Sequence, residues 1–143
     1  MLQKKDPLNL TGKVAVITGG SSGIGLGVCE LLSAYGAKIA MVDISPKGEE
    51  KAKELRDAGR EATFFQCDVT NEEQVKSTVD AIVAKYGKID ILHNNAGVTV
   101  RKTIADLSEK EWDFVLDVGL KGLFLFSKHV IPVMAANGGG SII

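Results

Sequence analysis

The strongest constraint on this chain is a glycine-rich turn between a short apolar run and a helix pattern. Residues 14–17 are apolar and mostly β-branched, which is typical of a strand buried on both faces. The glycine turn follows at Thr18, and apolar residues then recur at helical spacing up to the stop signal Gly36: Leu26, Val28, Leu31, Leu32 and Tyr35. The sequence therefore predicts a strand, a sharp turn and a helix in immediate succession.

Such a turn is suited to holding an anion. Glycines let backbone N–H groups approach a ligand without interference from a Cβ, and the following helix presents its positive dipole end. We expect a diphosphate to bind here, with hydroxyl donors from the two serines, at Gly19, Ser21, Ser22, Gly23, Ile24 and Gly25. The spacing is Gly-x-x-x-Gly-x-Gly and not the general Gly-x-Gly-x-x-Gly, so a tight turn without a ligand is the alternative.

Strand and helix patterns alternate along the rest of the chain. Further strands are predicted at residues 38–42, 62–67 and 89–93, and residues 141–143 resemble the opening of a fifth. The helices between them are predicted from the Ser45 and Pro46 start signal to Gly59, from the capping residues 68–71 to Gly87, and from the capping-box pair Ser108 and Glu111 to about Ala136. Right-handed crossovers would make this an α/β fold with a doubly wound parallel sheet.

Ligands of such sheets bind beyond the carboxyl ends of the strands. Asp43 lies at the carboxyl end of the second predicted strand. An acidic residue about 20 residues past the turn accepts hydrogen bonds from the adenosine ribose, and the same carboxylate repels a 2′-phosphate. No Lys or Arg lies in the glycine turn to neutralise that phosphate. The sequence therefore favours NAD over NADP, although a lone strand-end Asp is also a common turn or capping residue.

Charge and composition narrow the partners. The formal net charge is −1 with mixed signs along the chain, so we expect no nucleic-acid partner and no attraction to anionic lipid. Neither a leader-like apolar region nor a span long enough for a bilayer is evident, and Cys29 and Cys67 have no metal-ligand spacing. We expect a cytoplasmic protein with a small-molecule partner and no metal site.

Three motifs in register carry a family resemblance: Thr18-Gly19-x-x-x-Gly23-Ile24-Gly25, Asp68-Val69 and Asn94-Asn95-Ala96-Gly97. Together they resemble the short-chain dehydrogenase/reductase family from about Leu10 to the end of the chain. The resemblance implies a Rossmann fold and a nicotinamide cofactor, with hydride transfer between that cofactor and an alcohol or carbonyl substrate. It also implies a homodimer or homotetramer paired through the long helix that carries Trp112, Phe114, Phe124 and Phe126.

The resemblance assigns roles to residues after the third and fourth strands. It implies that the Asp68 carboxylate meets the adenine amino group while Val69 packs near the adenine ring. It places Asn95, Ala96 and Gly97 beside the ribose nearest the nicotinamide. Taken alone, the Asn94 to Gly97 segment is also an ordinary turn-forming loop.

The chain departs from the family at two points. Catalysis in the family uses a Ser and a Tyr-x-x-x-Lys pair, yet Tyr35 is followed four residues on by Ile39, and Tyr86 by Asp90. We therefore expect residues 1–143 to be an incomplete nucleotide-binding domain, truncated at the start of the fifth strand, with no catalytic residue. At Gly119 the family usually has Asn, and the proton-relay role of that Asn does not carry over to Gly119.

Two other interpretations of the sequence remain open. The first is a non-catalytic module that binds a dinucleotide. The second is a structural fragment without ligand affinity, in which the edge of the fourth strand and one helix face are uncovered. His93 and His129 are more typical of packing or capping than of acid–base catalysis. The fold class does not identify the substrate.

Overall fold

The computed structural model describes residues 8–143, so the polar lead 1–7 lies outside the described residues. The elements in chain order are β1 (Val14–Thr18), α1 (Gly23–Ala34), β2 (Lys38–Asp43), α2 (Gly48–Asp57), β3 (Ala62–Gln66), α3 (Glu72–Tyr86), β4 (Ile91–His93), α4 (Glu109–Leu116), a π-helical segment (Asp117–Lys121), α5 (Gly122–Ala136) and β5 (Ser141–Ile142). Each strand is followed by helical structure except the last, as the alternating pattern predicts.

The five strands form one parallel sheet in the order β3-β2-β1-β4-β5. The chain moves outward from β1 to β3 and then crosses to β4 on the other side, so the strand order reverses between β1 and β4. Ligands of doubly wound sheets bind at this reversal, beyond the carboxyl ends of the strands. The prediction of a doubly wound parallel α/β fold is confirmed.

Alternate residues of the strands face two separate cores. Val14 and Val16 pack with residues of α3 and α5, whereas Ala15 and Ile17 pack with residues of α1 and α2. All five residues of β1 are buried. Because helices cover both faces, the central strands are continuously apolar and do not alternate with polar residues.

Several predicted helix and strand ends agree with the structure, and others are shifted. The Asn71 side chain accepts a hydrogen bond from the Gln74 backbone at the start of α3, and Ser108 with Glu111 forms the predicted capping box of α4. Helix α2 begins at Gly48, later than the Ser45 and Pro46 signal indicates. The predicted helix from 108 to 136 is continuous except for the π-helical segment around Gly119.

The edge of β4 is paired, contrary to what the structural-fragment interpretation assumed. Ile91 and Leu92 are in register with Ser141 and Ile142 of β5, and the Ile143 amide donates to the Leu92 carbonyl. Residues 141–143 therefore already supply hydrogen-bond partners to β4. The helix face is exposed as that interpretation expected, since Trp112, Phe114, Leu120, Leu123 and Phe124 are each at least 42% accessible.

Candidate cofactor site

A cavity of about 540 Å³ opens at the carboxyl ends of the strands, beside the amino terminus of α1. Ligand pockets are typically about 300–1,000 Å³, so this cavity has room for a sizeable ligand. Its walls include Gly19, Ser22, Gly23 and Ile24 from the glycine turn, and Asp43 from the end of β2. Four separate loops contribute to it, and each follows one of the strands β1 to β4.

The glycine turn is shaped by contacts that leave no room for a side chain. Gly19 has a φ of +64°, a left-handed conformation that favours glycine. A Cβ on Gly25 would overlap the Gly19 carbonyl oxygen and lie 2.6 Å from Asn95 Nδ2. The first turn of α1 therefore packs directly on the end of β1. Gly25 supports the cavity from behind and is not part of its wall.

The loops after β1 and β4 are joined through one buried hydroxyl. Thr18 Oγ1 accepts hydrogen bonds from the backbone N–H groups of Asn95 and Ala96, each at 3.0 Å. The Asn95 side-chain amide nitrogen also donates to the carbonyl oxygens of Thr18 and Gly19, at 3.0 and 3.3 Å. The Asn95, Ala96 and Gly97 backbone is thereby fixed against the glycine turn, and all three residues line the cavity.

The Ser21 hydroxyl has a partner within the chain. Ser21 is buried, does not line the cavity, and donates from Oγ to the Asp43 carboxylate at 2.6 Å. The hydroxyl is bonded to Asp43 because β1 and β2 are neighbours in the sheet, which brings the residues after β1 within hydrogen-bonding distance of the end of β2. The Ser22 hydroxyl has no capping hydrogen bond at α1, and Ser22 is an exposed residue on the cavity wall.

Beyond β3, Asp68 and Val69 lie on the cavity wall together, as the motif suggested. The Asp68 carboxylate accepts hydrogen bonds from the backbone and hydroxyl of Thr70, at 2.9 and 2.8 Å. Val69 packs against Gly122 so closely that a Cβ on Gly122 would lie 2.8 Å from Val69 Cγ2. The start of α5 therefore holds Val69 in position at the wall.

Sequence reasoning missed several residues of the wall: Ile44, Cys67, Thr70, Val98, Phe114, Asp117 and Val118. Ile44, Cys67, Thr70 and Val98 are immediate chain neighbours of the motif residues, and the motif positions are a signal that could have found them. Phe114, Asp117 and Val118 come from α4 and the π-helical segment, which have no strand-end position. Only the folded path of the long helix brings them to the cavity.

The thiols of the chain are poorly suited to nucleophilic chemistry. Burial raises the pKa of the Cys29 thiol to about 12, and burial also raises the pKa of the Cys67 thiol. Only the thiolate is an effective nucleophile or metal ligand. Within residues 8–143, no three His, Cys, Asp or Glu side chains cluster closely enough to bind a metal ion.

The tyrosines and histidines do not line the cavity. The Tyr86 hydroxyl lies 2.8 Å from the Thr63 hydroxyl, and burial raises the pKa of Tyr86. Tyr35 follows the last residue of α1. His129 Nε2 lies 3.4 Å from Glu72 Oε1 on the neighbouring helix, and His93 is the last residue of β4.

Within the described part of the chain, no helix combines the length and apolar character needed to cross a bilayer.

Comparison with known proteins identifies the family of the chain. The family model described as short chain dehydrogenase matches residues 13–143. Zerumbone synthase of Zingiber zerumbet is 40% identical over 138 residues, which cover 95% of this chain and 52% of that protein. Secoisolariciresinol dehydrogenase of Forsythia intermedia is 41% identical over 136 residues, which cover 94% of this chain and 49% of that protein.

Solved structures give the same result for the fold. The crystal structure of gox2181 superposes with a TM-score of 0.92 at 29% identity, over 94% of this chain and 53% of that chain. The chain thus spans about half the length of the relatives it matches. The expected resemblance is confirmed, and this chain belongs to the short-chain dehydrogenase family.

Proposed function

We propose that the cavity binds NAD(H), and that the chain forms the cofactor-binding part of an oxidoreductase acting on an alcohol or carbonyl substrate. The observation that supports this most directly is the convergence of three separate motifs on one cavity. The glycine turn, Asp68 with Val69, and Asn95 to Gly97 come from the ends of three strands and share a single wall. When bound, the nicotinamide accepts or donates the hydride.

The cofactor diphosphate would lie at the start of α1. The first N–H groups of a helix have no partner within it, and the helix dipole adds a partial positive charge there. Gly19, Ser22, Gly23 and Ile24 line the cavity at this point, and a Cβ added to Gly23 would meet no atom within 4 Å. Open space beside these backbone groups fits an anionic ligand that approaches the chain closely.

The adenosine ribose would be held by the Asp43 carboxylate, which supports NAD over NADP. Among the described residues that line the cavity there are three aspartates, Asp43, Asp68 and Asp117, and neither Lys nor Arg. A 2′-phosphate would therefore meet negative charge without a cationic partner. The adenine would lie beside Asp68 and Val69, and the nicotinamide ribose beside Asn95, Ala96 and Gly97.

We assign no catalytic residue to this chain. Tyr35 and Tyr86 lie away from the cavity, and neither is followed by Lys four residues on. The chain spans about half the length of its relatives. The oxidoreductase activity is therefore proposed for a longer protein that contains this chain, and the substrate and the proton-transfer groups are part of that proposal. A cytoplasmic location stays a prediction from composition.

A homodimer or homotetramer is proposed from the exposed face of the long helix. Trp112 is 50% exposed and Phe124 56% exposed, with Leu120 and Leu123 on the same helix also open to solvent. Exposed apolar patches of this kind mark interaction surfaces in folded proteins. Phe126 is fully buried and belongs to the core.

A matched pair of charge substitutions tests the cofactor proposal. Ile24 is 78% exposed and lines the cavity at the start of α1, whereas Leu31 is 57% exposed on the same helix and does not line it. Ile24→Asp and Leu31→Asp add the same charge, and both sites are open enough to accept it. Calorimetric titration with NADH at low salt measures binding to the wild-type chain and to both variants.

We expect saturable NADH binding by the wild-type chain, displaced by ADP-ribose. Ile24→Asp should weaken it about tenfold, or about 1.4 kcal/mol, because the new carboxylate would face the diphosphate. Leu31→Asp should bind as the wild type does. A folded wild-type chain that shows no saturable binding would overturn the proposed function, as would equal effects of the two substitutions.

A further inference from the structure

The Ser21 side chain contacts the Asp43 carboxylate without itself lining the cavity. Ser21 Oγ donates to Asp43 Oδ2 at 2.6 Å, and the Ser21 backbone N–H donates to the same oxygen at 3.1 Å. Ser21 is 8% exposed and does not line the cavity, whereas Asp43 does. The serine therefore contacts the residue at the wall without itself reaching a ligand in the cavity.

The second carboxylate oxygen is also held. The backbone N–H of Ser45 donates to Asp43 Oδ1 at 3.0 Å. A carboxylate oxygen offers about two lone-pair sites, so the two donors of Ser21 fill Oδ2 and one acceptor site remains at Oδ1. Rotation of the carboxylate would break hydrogen bonds at both oxygens, and bonds to an ionised group are the stronger kind.

We infer that Ser21 is a positioning residue that sets the preference for NAD over NADP by holding the Asp43 carboxylate in one orientation. This inference rests on the proposed function. A carboxylate already in place offers its free acceptor to a ribose hydroxyl without a cost of ordering. The same carboxylate has no freedom to turn away from a 2′-phosphate. The hydrogen bond from Ser21 to Asp43 therefore favours NAD and disfavours NADP.

The test is the ratio of two dissociation constants, for NADPH and NADH, measured by calorimetric titration of the chain. Ser21→Ala removes the hydroxyl and keeps the backbone donor. We expect it to reduce the ratio about tenfold, because NADH loses a preorganised acceptor while NADPH is relieved of a fixed repulsion. Ser21→Gly deletes the same hydroxyl with less bulk and provides a second variant with the same expected result.

Ser33 provides the matched control. It is a serine on α1 that is 6% exposed, and its Oγ donates to the Glu30 carbonyl at 2.9 Å, away from the cavity. Ser33→Ala also removes a buried serine hydroxyl, so any general loss of packing appears in both variants. We expect Ser33→Ala to leave the NADPH to NADH ratio unchanged.

A double-mutant cycle shows whether Ser21 acts through Asp43. In an Asp43→Asn background, Ser21→Ala should change the ratio by less than about twofold, because the charge that Ser21 orients is gone. An equal weakening of NADH and NADPH by Ser21→Ala would overturn the inference and point to a phosphate ligand or a purely structural role. A wild-type chain that binds neither nucleotide would overturn the proposed function and the inference with it.

Discussion

Asn95 donates two hydrogen bonds to Thr18 across 77 positions of the chain. The Asn95 backbone amide donates to Thr18 Oγ1, and the Asn95 side-chain amide donates to the Thr18 carbonyl oxygen, both at 3.0 Å. The loops after β1 and β4, which lie side by side at the cavity wall, are therefore one hydrogen-bonded unit.

Thr18→Val should lower the free energy of unfolding by about 2 kcal/mol. Valine keeps the shape of the side chain but leaves the Asn95 and Ala96 amides without their acceptor in a place where Thr18 is only 2% exposed. Urea denaturation measures the change, and Thr18→Ser, which keeps the hydroxyl, is the control. A Thr18→Val variant within about 0.5 kcal/mol of the wild type would contradict the role given to this hydroxyl.

Gly25→Ala and Gly27→Ala should have opposite effects on stability. A Cβ on Gly25 overlaps the Gly19 carbonyl oxygen, so we expect a loss of about 2 kcal/mol or more and weaker NADH binding. A Cβ on Gly27 meets nothing within 4 Å in the same helix, so alanine there should add about 0.5–1 kcal/mol. Thermal unfolding of both variants checks the pair, and destabilisation of both would count against the contact argument.

Glu111 makes part of the stability dependent on acid pH. Hydrogen bonds from the Lys102 ammonium and from Ser108 lower the pKa of Glu111 from 4.5 to about 2. Because the folded-state pKa is the lower one, the stabilisation is fully present above about pH 4.5 and is lost as the pH falls toward 2. We expect the melting-temperature advantage of the wild type over Glu111→Gln to shrink across this window. An advantage independent of pH would rule out the ionised pair as its origin.

Phe124→Glu should shift the chain toward the monomer if the exposed helix face pairs subunits. The Phe124 ring is 56% exposed, and a charge there would have to be buried on association. Leu31→Glu, at a similarly exposed position on α1, is the control for added charge. Sedimentation velocity across a concentration series measures the assembly state. A wild-type chain that is monomeric at all concentrations would count against the oligomer proposal.

Local pattern was enough to predict the fold, because each strand and helix signal agreed with its neighbours. The buried β1 run, the glycine turn and the Ser108 capping box all depend on residues within one or two turns of each other. The loops that form the cavity followed from topology, since parallel strands place their carboxyl ends at one edge of the sheet. This reasoning located the wall formed by the glycine turn, Asp43 and the Asn95 loop.

Contacts that depend on the packing of distant segments were beyond the reach of sequence. The partner of the Ser21 hydroxyl was missed because it comes from the neighbouring strand, 22 positions away. Phe114 and Val118 were missed because helical periodicity does not say which of two apolar faces meets a cavity. Trp112 and Leu123 share helical spacing with buried positions of the same long helix, and only the folded structure shows that both are exposed.

The π-helical segment Asp117–Lys121 separates two stretches that face different surroundings. Phe114, before the segment, and Val118, within it, line the cavity. Leu125 and Phe126, after the segment, are part of the core. An α-helix turns about 100° per residue, so the wider turn shifts the angular phase between the two stretches. A chain one residue shorter here would have to misalign either the cavity wall or the core by about 100°, which makes the length of this segment as constrained as any side chain in the site.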